Sequence, residues 1–316
     1  MARHDSNDSM AHPYASTPPP LGKLVRMRAL KATEMPAHPE LGPQQSPRTC
    51  PPLLSFLAEA LNESESFMTA FLPSSFKIKG RGRPSPPAHA KVDLLEREIN
   101  GGETNSVHPT IPASRVAETW FVRRSIHENA AKEGTANWDE FDMGLRRDHS
   151  QHEMEYTPDV RDAHQVLSWD EMITEQAGDT GKQVGEWTDV QMSLMEMVHH
   201  IPPPLNDRVF CVLVITAKHV SGGKFLVVQI PADTTNMPRA RYSPGKPGNP
   251  TQGMYTSVER GEIVEGMKGI KWEMGTASDA KGALPMFVQK LGTPGALVKD
   301  VGLFMDWCAK RRLGQA

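Results

Sequence analysis

The chain has 316 residues, 38% of them hydrophobic and 23% charged, with a formal net charge of −3. That length allows one large domain or two small ones, and the slightly acidic balance argues against a general affinity for nucleic acid or anionic surfaces. No run of about 18 apolar residues is present, the first residues carry no apolar targeting core, and the widely spaced Cys50, Cys211 and Cys308 fit reduced thiols, so a cytoplasmic setting is expected.

Residues 1–50 are polar, proline-rich and without periodicity, which predicts a disordered tail ahead of one domain at 51–316. Pro51 and Pro52 open a helix with Leu53, Leu54, Leu57, Ala58 and Leu61 on one face, continued by Phe67, Met68 and Phe71. The basic segment 77–84 contains Arg81-Gly82-Arg83-Pro84, which resembles an AT-hook. A basic loop beside the domain is the simpler reading, because such short matches are common. Residues 92–99 read as a short helix. Residues 119–127 alternate as a strand, with Trp120, Val122 and Arg124 on one face and Phe121, Arg123 and Ser125 on the other. Asn137 with Glu140 three residues later forms a capping-box variant, ahead of Trp138, Phe141 and Leu145 on one helical face. His149 and His152 have a spacing found in some metal sites. No third ligand accompanies them, so a solvated helix face is expected, with no metal and no cofactor.

From Glu186 the period becomes two. Val190, Met192, Leu194, Glu196 and Val198 share one face; Gln191, Ser193, Met195 and Met197 share the other. Residues 208–216 and 224–230, joined through Ser221-Gly222-Gly223, predict an antiparallel hairpin. Residues 232–250 form a loop, and 254–264 and 269–276 two more strands. Residues 282–312 predict a helix whose stripe runs through Leu284, Phe287, Val288 and Leu291, then Leu297, Val301, Phe304, Met305 and Cys308, with a bend at Thr293-Pro294. At ~1.5 Å per residue it reaches about 45 Å and needs a broad surface to cover its stripe. The expected class is α+β: a long C-terminal helix on a curved antiparallel sheet.

Residues 203–210 (PPLNDRVF), Asn236-Met237-Pro238 after the hairpin, and 278–285 (SDAKGALP) before the last helix resemble the START lipid-transfer superfamily. Residues 120–128 (WFVRRSIHE), 155–160 (EYTPDV) and 299–305 (KDVGLFM) resemble an uncharacterised fungal branch of it, and the resemblance spans roughly 51–312. It implies a helix-grip fold: the sheet wraps around the C-terminal helix and encloses a cavity for a lipid or other hydrophobic small molecule, with transient membrane contact. It also implies departures. Ala283 stands where a tryptophan is common, and Val214 where some sterol-binding relatives carry an arginine, so ligand identity does not transfer. Related helix-grip proteins include polyketide cyclases, which leaves a pocket enzyme as the alternative, and the basic segment 77–84 leaves a regulatory protein. No nucleophile elbow, P-loop or zinc motif is present, and His127, His199 and Tyr255 are candidates for acid or base only singly.

The candidate cavity residues are Phe210, Val212, Tyr255, Met274, Phe287 and Leu291, together with Glu196 and Arg208. Glu196 interrupts an apolar strand face, and Arg208 begins the face of Phe210 and Val212. Isolated buried charges are costly, so the two are expected to pair inside the cavity and to anchor a polar group of the ligand.

Overall fold

The computed structural model describes residues 21–41, 49–100, 117–178, 181–242, 248–264, 266, 268–281 and 286–315, with side chains of the last helix described from Thr293 onward. Nine strands form one sheet: β1 (Lys77–Ser85), β2 (Ala88–Ile99), β3 (Glu118–Glu128), β4 (Val160–Ser168), β5 (Trp187–His199), β6 (Arg208–His219), β7 (Lys224–Pro231), β8 (Thr251–Val264) and β9 (Gly269–Asp279). Their spatial order is β1-β2-β3-β9-β8-β7-β6-β5-β4, antiparallel between neighbours, with a short parallel pairing of β6 with β8. The helices are α1 (Leu53–Ser66), α2 (Leu72–Ser75), α3 (Trp138–Phe141), α4 (His149–Tyr156), α5 (Asp170–Ala177) and α6 (Met286–Arg312). π-type turns at Phe67–Phe71 and Asp142–Arg146 extend α1 and α3.

Both faces of the sheet are covered, which explains why β6 is buried continuously from Arg208 to Ala217, apart from half-buried Phe210. Leu213, Ile215 and Ala217 turn to the outer face, under α1, α5 and the segment 21–41. Val212 and Val214 turn to the inner face, which shares a core with Phe304, Trp307 and their neighbours on α6. The capping box at Asn137 is present: its Oδ1 accepts from Glu140 N at 2.9 Å, and Glu140 Oε2 accepts from Asn137 N at 2.8 Å. α6 is pinned to the turn between β1 and β2. Ser85 Oγ donates to Val298 O at 2.5 Å and accepts from Gly302 N at 2.8 Å. Helix and turn approach so closely there that a Cβ at Gly302 would collide with the carbonyl of Pro86.

Four expectations change. The helix does not stop and restart at Thr293-Pro294: α6 runs through Pro294 as one helix, the lost N–H and the ring's clash at that single residue being outweighed by the turns on either side. Residues 92–99 belong to β2, where register with β3 over Val92–Ile99 outweighs local helix preference. The segment 77–84 is neither an arm nor a loop. It lies in β1, the sheet's edge strand, where exposed Lys77, Lys79, Arg81 and Arg83 oppose pairing with another edge. Finally, residues ahead of position 50 already pack on the domain, Leu21 among them. Leu24, Val25, Leu30 and Met35 are buried on the outer face. Arg26 Nε pairs with Glu118 at 3.0 Å, and the Glu63 carboxylate accepts from the backbone of Lys23, Leu24 and Val25. Apolar residues spread among polar ones hide this strap from a composition reading. The remainder of the tail expectation, residues 1–20 and 42–48, lies outside the described residues.

Candidate functional site

A cavity of about 450 Å³ lies between the inner face of the sheet and helices α4 and α6. Strand alternation delivers its walls: Met197 and His199 from β5, Phe210 from β6, Tyr255 and Glu259 from β8, Trp272 and Met274 from β9, and Arg123 from β3. α4 adds Glu153 and Tyr156, and α6 adds Ala296, Leu297 and Asp300. One wall is aromatic: the rings of His199 and Phe210 lie 5.2 Å apart, and those of Phe210 and Tyr255 5.9 Å.

The rest of the wall is charged. Arg123, 2% exposed, donates from Nη2 to Glu259 Oε1 at 2.8 Å, and its guanidinium stacks on Trp272 at 3.8 Å. Trp272 Nε1 donates to the same carboxylate oxygen at 2.7 Å. Arg123 Nε and Nη1 have no hydrogen-bond partner among the described residues. Asp300 is half-buried; burial, reinforced by Glu153 and Glu259 against the pull of Arg123, pushes its carboxyl up to about 7. Burial also raises the Tyr156 and Tyr255 phenols and lowers His199, which keeps all three uncharged near neutrality. His149 Nδ1 lies 2.6 Å from the carbonyl of Leu145, so it carries the proton, and Nε2 can accept from Gln229 Nε2 at 3.1 Å. His149 and His152 are both buried rather than solvated, and no group of His, Cys, Asp and Glu among the described residues could hold a metal ion. His127, behind Trp272, is buried with Nε2 2.8 Å from Ser125 Oγ.

The predicted residues divide. Phe210, Tyr255 and Met274 line the cavity, whereas Val212 packs into the inner core without lining it. The side chains of Phe287 and Leu291 lie outside the described residues. Glu196 and Arg208 are both buried but do not pair. Register sets Glu196 opposite Cys211 and Arg208 opposite His199, so the odd-to-even difference puts them on opposite faces. Glu196, on the outer face, accepts from Arg241 N at 2.8 Å and Tyr242 N at 3.3 Å, holding the loop between β7 and β8. Arg208 donates to Ala280 O at 2.6 Å and to Asn206 O, tying β6 to the end of β9. Sequence reasoning missed Arg123, Glu153, Glu259, Trp272 and Asp300. The signal for Arg123 was in plain view: it shares the alternating face of β3 with Phe121 and Ser125.

A model of the family described as protein of unknown function (DUF3074) matches residues 120–308. The chain belongs to that family. No curated protein matches this DUF3074 chain by sequence. Its fold is similar to that of human STARD10, with a TM-score of 0.51 at 11% identity over 80% of this chain and 81% of that one. It is also similar to human StAR-related lipid transfer protein 5, with a TM-score of 0.51 at 12% identity over 82% and 97% of the two chains. The DUF3074 chain therefore has the START-like helix-grip fold, α+β, with the inner face of its sheet gripping the C-terminal helix. No helix among its described residues is long and apolar enough to cross a membrane.

Proposed function

We propose that this chain binds one hydrophobic, lipid-like molecule in the cavity between sheet and α6 and carries it through the cytoplasm, touching membranes only transiently. The observation that carries the reading is the cavity itself. Residues that would fill a solid core, Met197, Phe210, Met274 and Leu297, instead surround about 450 Å³ of space, within the range that suits a small apolar ligand. The likeness in fold to a protein named for lipid transfer supports the same class of ligand.

The test is native mass spectrometry of the purified chain, followed by displacement of a fluorescent lipid with sterols, single-chain lipids and phospholipids. Saturable binding at one site is expected, with any co-purified molecule released unchanged. Absence of saturable binding across the series overturns the proposal. A time-dependent product would move the reading to a pocket enzyme.

A further inference from the structure

The charged half of the cavity has a composition that a ligand for a purely apolar pocket does not need. Four carboxyl groups line the space, Glu153, Asp159, Glu259 and Asp300, against one guanidinium, Arg123. That guanidinium is committed to Glu259, which also receives the Trp272 indole N–H. The nearest basic group to Glu153 is Nε2 of His149 at 3.6 Å, beyond hydrogen-bond distance. Asp300 makes no hydrogen bond or ion pair with a described residue; Arg123 and Lys299 attract it from a distance, and Glu153 and Glu259 act on it as like charges. Glu153 on α4 and Asp300 on α6 thus face the cavity without a Lys or Arg in direct contact.

A second observation is independent of the carboxylates. Arg123 lines the same cavity, is 2% exposed, and keeps Nε and Nη1 without an acceptor. Buried donors without acceptors, and half-buried carboxyl groups that crowd one another without a contacting cation, are each costly by themselves. One ligand head group resolves both if it carries a positive charge and, next to it, a hydrogen-bond acceptor. The aromatic faces of Tyr156, Phe210 and Tyr255 suit such a cation as well.

We infer that the cavity selects an amphiphile whose apolar body ends in a protonated amine beside a hydroxyl, an amino-alcohol head group, with Glu153 and Asp300 facing the ammonium and Arg123 donating to the hydroxyl. This rests on the proposed function, and it excludes a free fatty acid, whose carboxylate would meet four others. The groups that share the field are Arg123, His199, Tyr255 and Glu259 from the sheet, His149, Glu153 and Tyr156 from α4, Asp159 and His200 from the segments beside β4 and β5, and Lys299 and Asp300 from α6. Asp300 ionises across neutrality while an alkylammonium stays charged. Preference for the amine over a neutral alcohol therefore rises between pH 6 and pH 8.

Four probes with the same saturated chain separate the possibilities: hexadecanoic acid, 1-hexadecanol, hexadecylamine and 2-amino-1-hexadecanol, each titrated below its micelle concentration into the full chain and read by Trp fluorescence, since Trp272 is on the wall. The amine is expected to bind about tenfold tighter than the alcohol, the amino alcohol tighter still, and the acid weakest. Asp300→Asn with Glu153→Gln, at unchanged melting temperature, is expected to bring amine and alcohol to within about twofold. If none of the four binds saturably, the lipid-binding reading itself fails. If alcohol or acid binds as tightly as the amine, the charge inference fails while lipid binding stands. If the amine leads but the hydroxyl adds nothing, the role given to Arg123 is overturned.

Discussion

The ion pair of Arg123 and Glu259 is where interior electrostatics can be measured directly. Both residues are almost fully buried, at 2% and 4% exposure, and their contact is 2.8 Å. Arg123→Met leaves the Glu259 carboxylate with only the Trp272 N–H, and Glu259→Leu leaves the guanidinium with no anion in contact and strands the Trp272 donor. Breaking a buried pair from one side typically costs about 3–5 kcal/mol, because the remaining charge is desolvated without compensation. Glu259→Leu adds about 1–3 kcal/mol for the orphaned indole N–H. The double variant removes both charges, so its loss is expected to be smaller than the sum of the two single losses, by a coupling of at least ~2 kcal/mol. Urea unfolding followed by far-UV circular dichroism gives all four corners of the cycle. Single losses under about 1 kcal/mol, or strict additivity, would mean that cavity water screens the pair as at a surface, and the account of a dry charged wall would be refuted.

Three further outcomes follow from the packing. Gly302→Ala pushes a methyl into the Pro86 carbonyl and should destabilise by about 1–3 kcal/mol, whereas Gly295→Ala, with nothing within 4 Å of the new Cβ, should be neutral or stabilising; equal melting temperatures would contradict the tight seat of α6. Deleting residues 1–41 uncovers Leu24, Val25, Leu30 and Met35, each worth up to about 1.5–3 kcal/mol when fully buried, so a lower melting temperature and new dye binding are expected; unchanged melting would make the strap dispensable. Burial holds His127 down to about 3, with Arg123 adding to the effect. Since the unfolded imidazole titrates near 6.5, the stability this histidine contributes is complete above that pH. It falls by up to about 1.4 kcal/mol per unit as acid is added, down to the folded value. His127→Leu should flatten that part of the stability curve between pH 6.5 and 5, and an unchanged slope would place the acid sensitivity elsewhere.

The parts of the fold legible in the sequence were those where local pattern and tertiary role agree. α1 shows its stripe at Leu53, Leu57, Ala60 and Leu61, and β6 and β7 are dense in Val, Ile and Leu because both their faces are buried. β4 was hidden, since Arg161, Asp162, His164 and Gln165 dilute a strand that lies at the sheet's edge. The misplaced pair shows a different limit. That buried charges need partners was sound, and both Glu196 and Arg208 are buried and bonded. The partners follow from register, and register between β5 and β6 is set across eight intervening residues whose geometry the pattern does not encode. β5 carries Val190, Met192 and Leu194 toward one face and Met195 and Met197 toward the other. With apolar residues on both, composition alone cannot tell which face meets the cavity.

The residues that set the cavity's chemistry come from distant parts of the chain: Arg123 on β3, Glu153 on α4, Glu259 on β8 and Asp300 on α6. They meet because α6 crosses the inner face over β1, β2 and β3 and touches α4. A core selected for stability alone has no use for this arrangement. Leucine or methionine at these positions would remove a desolvated guanidinium with two unpartnered donors and two carboxyl groups that no Lys or Arg contacts directly, each of which opposes folding. Elsewhere in the same interior most buried charges are matched, Arg146 by Asp142 and Asp189 and Arg26 by Glu118, and the buried atoms without a partner, such as Arg28 Nε, Glu65 Oε2 and Arg260 Nε, are single ones. Two unpartnered donors and two unpaired carboxyl groups gathered around one space, where elsewhere such atoms are scattered singly, mark a site that is completed by something other than the chain itself. That contrast, more than the volume of the cavity, separates a ligand chamber from an imperfectly filled core.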